Sequence, residues 1–531
     1  MATYYINAGG DNANDGLSSA NAFANFDPVA YGNKAALTQG DTVIVEDTGG
    51  DITHSSQVSF WGMSGSSGSP ITIEAADGHS PVIDFTNATA KAFYMEATSY
   101  FVIDGLEVKN AGNYGFQVYN ANNNTFKNCY THHHGYDATW GSGIAFEGGG
   151  SGHLVQNCKS AYGQAEGNAD GFALDGGASA TFENCDAWHN ADDGFDAWDG
   201  GVSTFTDCRA WHNGHDENGT VTGNGNGFKL GGDTATGDGG HTLERCIAFK
   251  NSGDSGRGFD DNNADNAITF HNCTAWDNDV GWRVNVQGVA HVLRNCIEYQ
   301  NTTAYDSMAN ADDQYNTWNL SINDPDWADV SLTNDSKEGP ANESTFMTLN
   351  STSSCIDAGT DVGLSYNGSD PDLGAIEYTA TVTQEDSLYN NFKELLFNGG
   401  VDLDTDTIRV ALISDSPAYG PDVDTEVHVS DVLDGGTTAS EVSGTGYSRQ
   451  TISLTATQDN ANDVAYVDTG DLTYSGIDAG TIDGVLIYKD GPTDDTDSPL
   501  IAYLTSDQFP LTTNGGDVTI QWGSSGVLEL S

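Results

Sequence analysis

The sequence predicts an all-β protein, a parallel β-helix followed by a smaller β-sandwich-like domain with one short helix, and three observations carry that reading. Seven cysteines, at 129, 158, 185, 208, 246, 273 and 296, each close a strand-like segment such as Phe126-Lys-Asn-Cys129 or Phe205-Thr-Asp-Cys208, and they recur 29, 27, 23, 38, 27 and 23 residues apart, within the period range of a solenoid. A second landmark, Gly-Phe or its Gly-Ile and Gly-Trp equivalents, runs in step at 115–116, 143–144, 171–172, 194–195, 227–228, 258–259 and 281–282. Its apolar member precedes the next cysteine by 13 or 14 residues, except for 18 after Phe228, so two landmarks keep register over seven coils. After Cys296 the register decays, and after residue 386 the chain takes on a different character.

Taken in order, residues 1–110 carry short apolar strands, Thr42-Val-Ile-Val45, Ile71-Thr-Ile73 and Phe101-Val-Ile103, between polar turns. The repeats then begin. Asn190, Asn213, Asn251, Asn278 and Asn301 each lie five residues after their cysteine and predict an asparagine ladder in a turn. The one 38-residue repeat holds two insertions, from His215 to Gly223 and from Asp233 to Gly240, beside the strand of Lys229. Loops that grow on a solenoid map to a binding face or drift neutrally. Residues 302–378, with Cys355 and the run Asp370-Pro-Asp-Leu-Gly-Ala-Ile-Glu-Tyr378, are expected to cap the β-helix, which spans 1–378; 379–386 reads as a linker. In 387–531, Leu388 to Phe397 has helical apolar spacing closed by Gly399-Gly400, and Ile408–Ile413, Val485–Tyr488, Leu500–Leu504 and Val518–Trp522 read as strands of an attachment or assembly domain.

Charge narrows the function. The 531 residues contain 17 Lys+Arg against 77 Asp+Glu, a formal net charge of −60 spread along the chain. That excludes nucleic acid as a partner and points to a halophilic source, because molar salt screens such repulsion within ~3 Å. No apolar run of 18 or more residues occurs, so membrane insertion is not expected, and Met1-Ala-Thr-Tyr-Tyr-Ile lacks the basic start and apolar stretch of a signal peptide. The protein is expected outside the cell, as a mature chain or on a virion surface. The repeat cysteines share one sequence context, so they are expected to stack as buried free thiols, with Cys355 left over.

One strand position stacks Asp196, Lys229 and Asp260 on successive coils, with Arg283 beyond them. Phe228 and Leu230 flank Lys229 on the core face, which turns the lysine outward, and neighbouring coils lie ~4.8 Å apart. Asp170 and Asp193 precede Gly-Phe on adjacent coils, and Asp192 sits beside them at the turn. Four carboxylates, at 170, 192, 193 and 196, converge beside an unpaired lysine. Such a cluster calls for a cation, and hard oxygen donors in a turn suit Ca²⁺. A purely structural calcium and a solvated acidic face are the competing readings. His132-His-His134 is expected in a turn or groove wall, and Trp140, Trp188, Trp198, Trp211 and Trp276 divide between sugar platforms and packing.

The segments Asn168-Ala-Asp-Gly-Phe172, Asp192-Asp-Gly-Phe-Asp196, Asn224-Gly-Asn-Gly-Phe-Lys-Leu-Gly-Gly232 and Gly258-Phe-Asp260 resemble the core of the family 9 polysaccharide lyases, calcium-dependent pectate lyases on a right-handed parallel β-helix. The resemblance implies that Asp170, Asp192, Asp193 and Asp196 bind Ca²⁺ and that Lys229 is the catalytic base. Independent chemistry agrees: removing the C5 proton of a uronate builds charge on the adjacent carboxylate, which a divalent cation stabilises. A nearby cation would also lower the lysine's pKa. Arg283 and Asp260 are the candidate substrate-binding residues on the same column.

Residues 387–531, with Gly444-Thr-Gly-Tyr-Ser-Arg449, resemble modules of tailed-virus virion proteins. The combination implies a spike, fibre or turret, homo-oligomeric, attached to other virion proteins through 387–531 and directed at an acidic polysaccharide or host surface glycan. Two readings stay open: cleavage of that glycan by calcium-dependent β-elimination, or a non-catalytic glycan-binding and structural virion protein on the same fold.

Overall fold

The computed structural model describes residues 1–531 apart from 87–90, 137–138, 165–166, 217–218, 233–238, 255, 285–288, 309–310, 333–338, 379–384, 415–418, 434–437, 460–463, 479, 506–508, 514, 516, 523–525 and 531. The chain divides into two compact units, Met1–Tyr378 and Thr379–Ser531. The first is a right-handed parallel β-solenoid of three sheets. Twelve strands run from Thr3–Ile6 to Asp312–Gln314, ten from Ile52–Thr53 to Ile297–Tyr299, and ten from Val58–Ser59 to Thr303–Ser307. The last of these is the site sheet.

Strands of three to five residues dominate because the chain bends three times per coil. The residue before each repeat cysteine (Asn128, Asn157, Asn184, Asp207, Arg245, Asn272 and Asn295) has φ between +51° and +58°. Asparagine and aspartate tolerate this left-handed conformation better than other side chains, which explains the recurrent Asn-Cys. All eight cysteines are free and buried. Inside the solenoid Phe172, Phe195, Phe228, Phe259 and Trp282 stack coil on coil at centroid spacings of 4.9, 4.7, 5.1 and 4.3 Å.

The asparagine ladder and the Gly-Phe landmark are parts of one device. Asn190 Nδ2 donates to Asn213 Oδ1 (3.1 Å), Asn213 to Asn251 (3.0 Å), Asn251 to Asn278 (3.0 Å) and Asn278 to Asn301 (2.9 Å). Each Oδ1 also accepts the backbone N–H of the preceding asparagine. The landmark glycine faces this ladder: a Cβ on Gly194 would lie 2.8 Å from Asn213 Nδ2, and one on Gly227 would lie 3.0 Å from Asn251 Nδ2. Only glycine lets the strand pass so close.

Residues 303–320 continue and close the solenoid, with Thr303–Ser307 and Asp312–Gln314 as the last strands of two sheets and Trp318 packed on Trp282 (ring centroids 6.0 Å), whereas the later part of the expected cap lies along the flank. Trp188, Trp211, Phe249 and Trp276 stack outside the sheet that runs from Ile52–Thr53 to Ile297–Tyr299, and Phe346, Met347 and Ala375 cover them. Leu349, Cys355 and Leu373 pack on Ile297, and Asn272 Nδ2 donates to the Asp372 carbonyl (3.0 Å). An outward aromatic column of this size needs cover, and the returning chain supplies it.

In the second unit an antiparallel sheet is ordered Glu385–Leu388, Leu500–Thr505, Gly480–Lys489, Ile408–Ser414, Ser440–Glu441. Ile408, Val410 and Leu412 face one apolar cluster while Ala411 and Ile413 face another, so this strand reads as a continuous apolar run. The helix spans Asn390–Asn398 and stops at Gly399, φ +75°; its expected first residue, Leu388, ends a strand. Thr317–Leu320 and Val429–Val432 are additional single-turn helices. Of the expected linker, 379–384 lie outside the described residues, and 385–386 open the first strand. No helix among the described residues is long and apolar enough to cross a membrane.

Candidate active site

On the site sheet Ala173, Asp196, Lys229, Asp260 and Arg283 are register partners on successive coils. Phe172, Phe195, Phe228, Phe259 and Trp282, one residue earlier, face the core, so the charged column faces outward. The chain bends at the landmark glycine. Asp170 and Asp193 share the parity of the inward phenylalanines, but Asp193 still reaches the outer face, where its Oδ2 lies 3.1 Å from Lys229 Nζ.

Asp170, Asp192 and Asp193 come together, each offering an oxygen within 4.8 Å of the others, and all three are buried. Asp196 joins them through the lysine, its Oδ2 accepting from Nζ at 3.0 Å. Hydrogen bonds fix each carboxylate. Asp193 Oδ1 accepts from the Asn226 backbone N–H and from Asn226 Nδ2, both 2.8 Å. Asp192 Oδ1 accepts from Asn224 N–H (2.6 Å), and Asp170 Oδ1 from Asp193 N–H (3.2 Å). His134 Nε2 donates to the Asp170 carbonyl at 2.9 Å. Asn224 and Asn226 thus hold the cluster, a role the sequence signals only by their spacing of two on the coil after Asp192-Asp193.

Four carboxylates against one ammonium leave the cluster strongly negative. Burial first, then the neighbouring Asp196, Asp192 and Asp193, push the Asp170 carboxyl well above the usual range. Burial and Asp193 push Asp192 up to about 8, and burial raises Asp196 to about 6 against the pull of Lys229. Among the described residues Asp193 Oδ2 faces only the Lys229 ammonium, 3.1 Å away. Buried hard-oxygen donors with uncompensated charge fit a divalent cation such as Ca²⁺.

The lysine departs from the expectation. Lys229 is not unpaired: burial pulls its pKa down, but the surrounding aspartates outweigh burial and hold the ammonium protonated. Asp260 and Arg283 also differ from free substrate ligands. Asp260 is buried and accepts from Arg257 Nη1 and Arg283 Nη1, both 3.1 Å, while Arg283 Nη2 donates to Asn263 Oδ1 (3.0 Å). The two expected substrate contacts thus hold each other.

A groove of about 740 Å³ runs over the site sheet from Lys91 and Tyr114 to Asp170, Asp196 and Lys229. Trp140 and Trp198 line it and are exposed, whereas Trp188, Trp211 and Trp276 are buried under the flanking segment. His132 and His133 stack with Tyr130 and Tyr162 beside the sheet that runs from Ile52–Thr53 to Ile297–Tyr299. Of the two insertions, His215 pairs with Val221 in a small bridge, and 233–238 lie outside the described residues.

Comparison with known proteins bears on this geometry. Pectate lyase L of Dickeya dadantii (strain 3937) is 32% identical over 404 residues, covering 70% of this chain and 90% of that protein. Pectate lyase L of Paenibacillus polymyxa (strain SC2) is 30% identical over 309 residues, 54% of this chain and 67% of that one. The crystal structure of pectate lyase Pel9A superposes with a TM-score of 0.60 at 30% identity, covering 71% of this chain and 97% of its own. A rhamnogalacturonan lyase shares the fold, with a TM-score of 0.53 at 21% identity. The family described as Pel9A-like, right-handed β-helix region, matches residues 4–319, and those residues include every member of the aspartate cluster and Lys229. This chain belongs to that Pel9A-like right-handed β-helix family.

Proposed function

We propose that the protein is a polysaccharide lyase that cleaves a uronate-containing glycan by calcium-dependent β-elimination. The observation that carries this reading is a lysine whose Nζ lies 3.0–3.1 Å from the buried Asp193 and the half-buried Asp196 at one end of an open groove. When bound, Ca²⁺ supplies positive charge that occupies the carboxylates otherwise paired to Lys229 and draws electron density from the substrate's own carboxylate. Asp170, Asp192, Asp193 and Asp196 are the residues that would hold it. Asn224 and Asn226 keep Asp192 and Asp193 aimed at the cluster, so the donors need no rearrangement. Lys229, on a strand buried on its other face, is positioned to take the C5 proton. The C5–H electron pair then forms the C4–C5 double bond, the C4–O bond breaks, and the departing oxygen is protonated by solvent. Arg257 and Arg283, tied to Asp260, stiffen the coil after Lys229 rather than gripping substrate.

The test is ultraviolet absorbance of unsaturated uronate ends, on polyuronates and surface glycans in high salt with calcium. The wild type should generate it and Lys229→Ala should lower the rate by about 10³-fold or more, as loss of an acid–base group does. An unchanged rate in Lys229→Ala, or no product from any uronate polymer, favours the non-catalytic glycan-binding alternative. For the cation, Asp192→Ala/Asp193→Ala should abolish calcium uptake in a calorimetric titration, and a titration matching wild type removes calcium from the reading.

The setting is part of the same proposal: display on a virion of a halophilic host, as a homo-oligomer joined to other virion proteins through 387–531. The net charge of −60 and a second unit with its own apolar clusters support it. Particle imaging with antibody against 387–531 tests it; an unlabelled particle and a secreted monomer would contradict it.

A further inference from the structure

The outward column of the site sheet differs on the two sides of Lys229. On the C-terminal side Asp260 and Arg283 are locked to one another. On the N-terminal side, past Asp196, the column presents Ala173, which lines the groove, and then Ala145, which is fully buried under its neighbours. Ala173 gives this stretch of the groove a small, uncharged floor. Indoles stand over it: Trp140, immediately before the strand Gly141–Glu147, is 56% exposed, and Trp198, two residues past Asp196, is 38% exposed.

Trp198 is a held feature rather than a stray surface ring. Its backbone N–H donates to Asp196 Oδ1 (2.9 Å), which ties its position to the catalytic column. Its ring lies over Gly232, where a Cβ would come within 2.7 Å of the ring's Cδ1 and Nε1. Among the described residues the ionised groups facing this tract are Glu147 and Asp175, in the next outward position after Ala145 and Ala173, and Lys91. Lys91 is already engaged, its Nζ 3.8 Å from the Tyr94 ring centroid and attracted by Glu147 and Glu96. Gln117 Nε2 donates to Glu147 Oε2. Outside the aspartate cluster the tract therefore carries two carboxylates for one engaged ammonium, and a free uronate there would meet repulsion without a matching cation. An uncharged sugar ring loses nothing to that field and lays its C–H face on an indole, whose ring face is negative.

We propose that the tract of the groove over Ala173, lined by Trp140 and Trp198, holds subsites for uncharged sugar units, neutral or carboxyl-esterified, leading to the one free uronate that reaches Lys229. This rests on the lyase reading and narrows its substrate to a glycan in which free uronates are flanked by uncharged residues. Glu147 and Asp175 set the preference, and the indoles supply the affinity.

The experiment is isothermal titration of the full-length protein in calcium-free buffer at ~0.1 M salt, where charges act over ~10 Å, with polygalacturonate and with its methyl-esterified form as probes. Wild type should bind the esterified form more tightly. Glu147→Gln/Asp175→Asn, which keeps side-chain shape, should tighten polygalacturonate by roughly fivefold to tenfold and leave the esterified probe unchanged, the factor expected from removing unit repulsions across a partly hydrated groove. Trp198→Ala should weaken the esterified probe at least as much as the acid. Preference for polygalacturonate, binding of neither probe, or a double variant with an unaltered ratio overturns the tract. Unsaturated product without the preference refutes the tract and leaves the lyase reading standing; the preference without product from any uronate polymer does the reverse.

Discussion

Replacing Asn213 by alanine tests how the asparagine ladder supports the site. Asn213 is fully buried; its Nδ2 donates to the Ala187 carbonyl (3.1 Å) and to Asn251 Oδ1 (3.0 Å), and its Oδ1 accepts the Asn190 backbone N–H and Asn190 Nδ2, both at 3.1 Å. Alanine removes all four. Asn190 Nδ2 keeps the Ser160 carbonyl, and the backbone N–H of residue 213 can keep Asn251 Oδ1. The Asn190 backbone N–H is left without this acceptor in a dry turn. An orphaned buried donor costs about 1–3 kcal/mol and each lost neutral bond about 0.5–1.5 kcal/mol, so Asn213→Ala should cost about 3–5 kcal/mol in all. Asn301, half-buried at the ladder's far end, leaves solvent access for the freed groups, and Asn301→Ala should cost about half as much. The assay is guanidinium denaturation followed by far-ultraviolet circular dichroism on both variants. A loss under about 1 kcal/mol at 213, or equal losses at 213 and 301, would refute the claim that buried interior links carry the ladder. Because Asn190 lies two residues before Asp192, Asn213→Ala should also weaken calcium binding; an unstable protein with intact affinity would separate the ladder from the site.

Gly227→Ala should destabilise by about 1–3 kcal/mol, since its Cβ would sit 2.7 Å from the Gly258 carbonyl oxygen and 3.0 Å from Asn251 Nδ2; the same denaturation experiment reads it. Burial holds the imidazoles of His153 and His241 neutral, with pKa lowered to about 4, below the ~6.5 of an unfolded histidine. The unfolded chain therefore binds more protons between these values, so this stability is complete above pH ~6.5, falls as pH drops, and is gone below about 4, at most about 3 kcal/mol per residue. Denaturation midpoints at pH 7 and pH 5 should differ, and His241→Asn should flatten the difference. Removing Arg257 and Arg283 together, each to methionine, strands the buried carboxylate of Asp260 and should cost about 3–5 kcal/mol, most of it recovered by adding Asp260→Asn. A triple variant no more stable than the double would show that the arginines act through packing instead.

The solenoid was legible because its signals repeat one residue type at one position. Cysteine, Gly-Phe and asparagine each mark a bend, and seven coils give the pattern many chances to be seen. A second ladder escaped for the opposite reason. Asn124 Oδ1 accepts from Phe101 N–H, His153 Nδ1 from Asn124 N–H, Ser203 Oγ from Ala180 N–H, His241 Nδ1 from Ser203 N–H and His291 Nδ1 from Ile268 N–H. The task is constant, an acceptor for the previous coil's N–H, but three residue types perform it, and a search for identity passes over it. The same distinction governs the site. Period-two alternation placed Lys229, Asp196 and Asp260 on one outward column, because all three follow an inward aromatic. It could not show which charges meet, since pairing depends on side-chain reach across coils and on the bend at glycine that brings Asp193 to the outer face.

That bend joins fold to chemistry. Gly194 is glycine because the asparagine ladder passes close behind it, and the turn this closeness creates frees Asp193 from the core. The coil after it repeats the construction with Asn226 where Asp193 stood, and Asn226 spends its backbone N–H and its amide on Asp193 rather than adding a further charge. One more carboxylate there would have raised the repulsion in a cluster already holding four charges against one. An amide at that position instead donates to its neighbour without adding a charge. Asn226→Asp should therefore fold, because the side chains are nearly the same shape, yet it should distort the donor set and raise the pH needed for half-maximal calcium uptake. Calorimetric titrations across pH would read that shift directly. An unshifted pH dependence with normal affinity would mean that Asn226 serves the turn alone, and that the cluster's charge is set by burial without it.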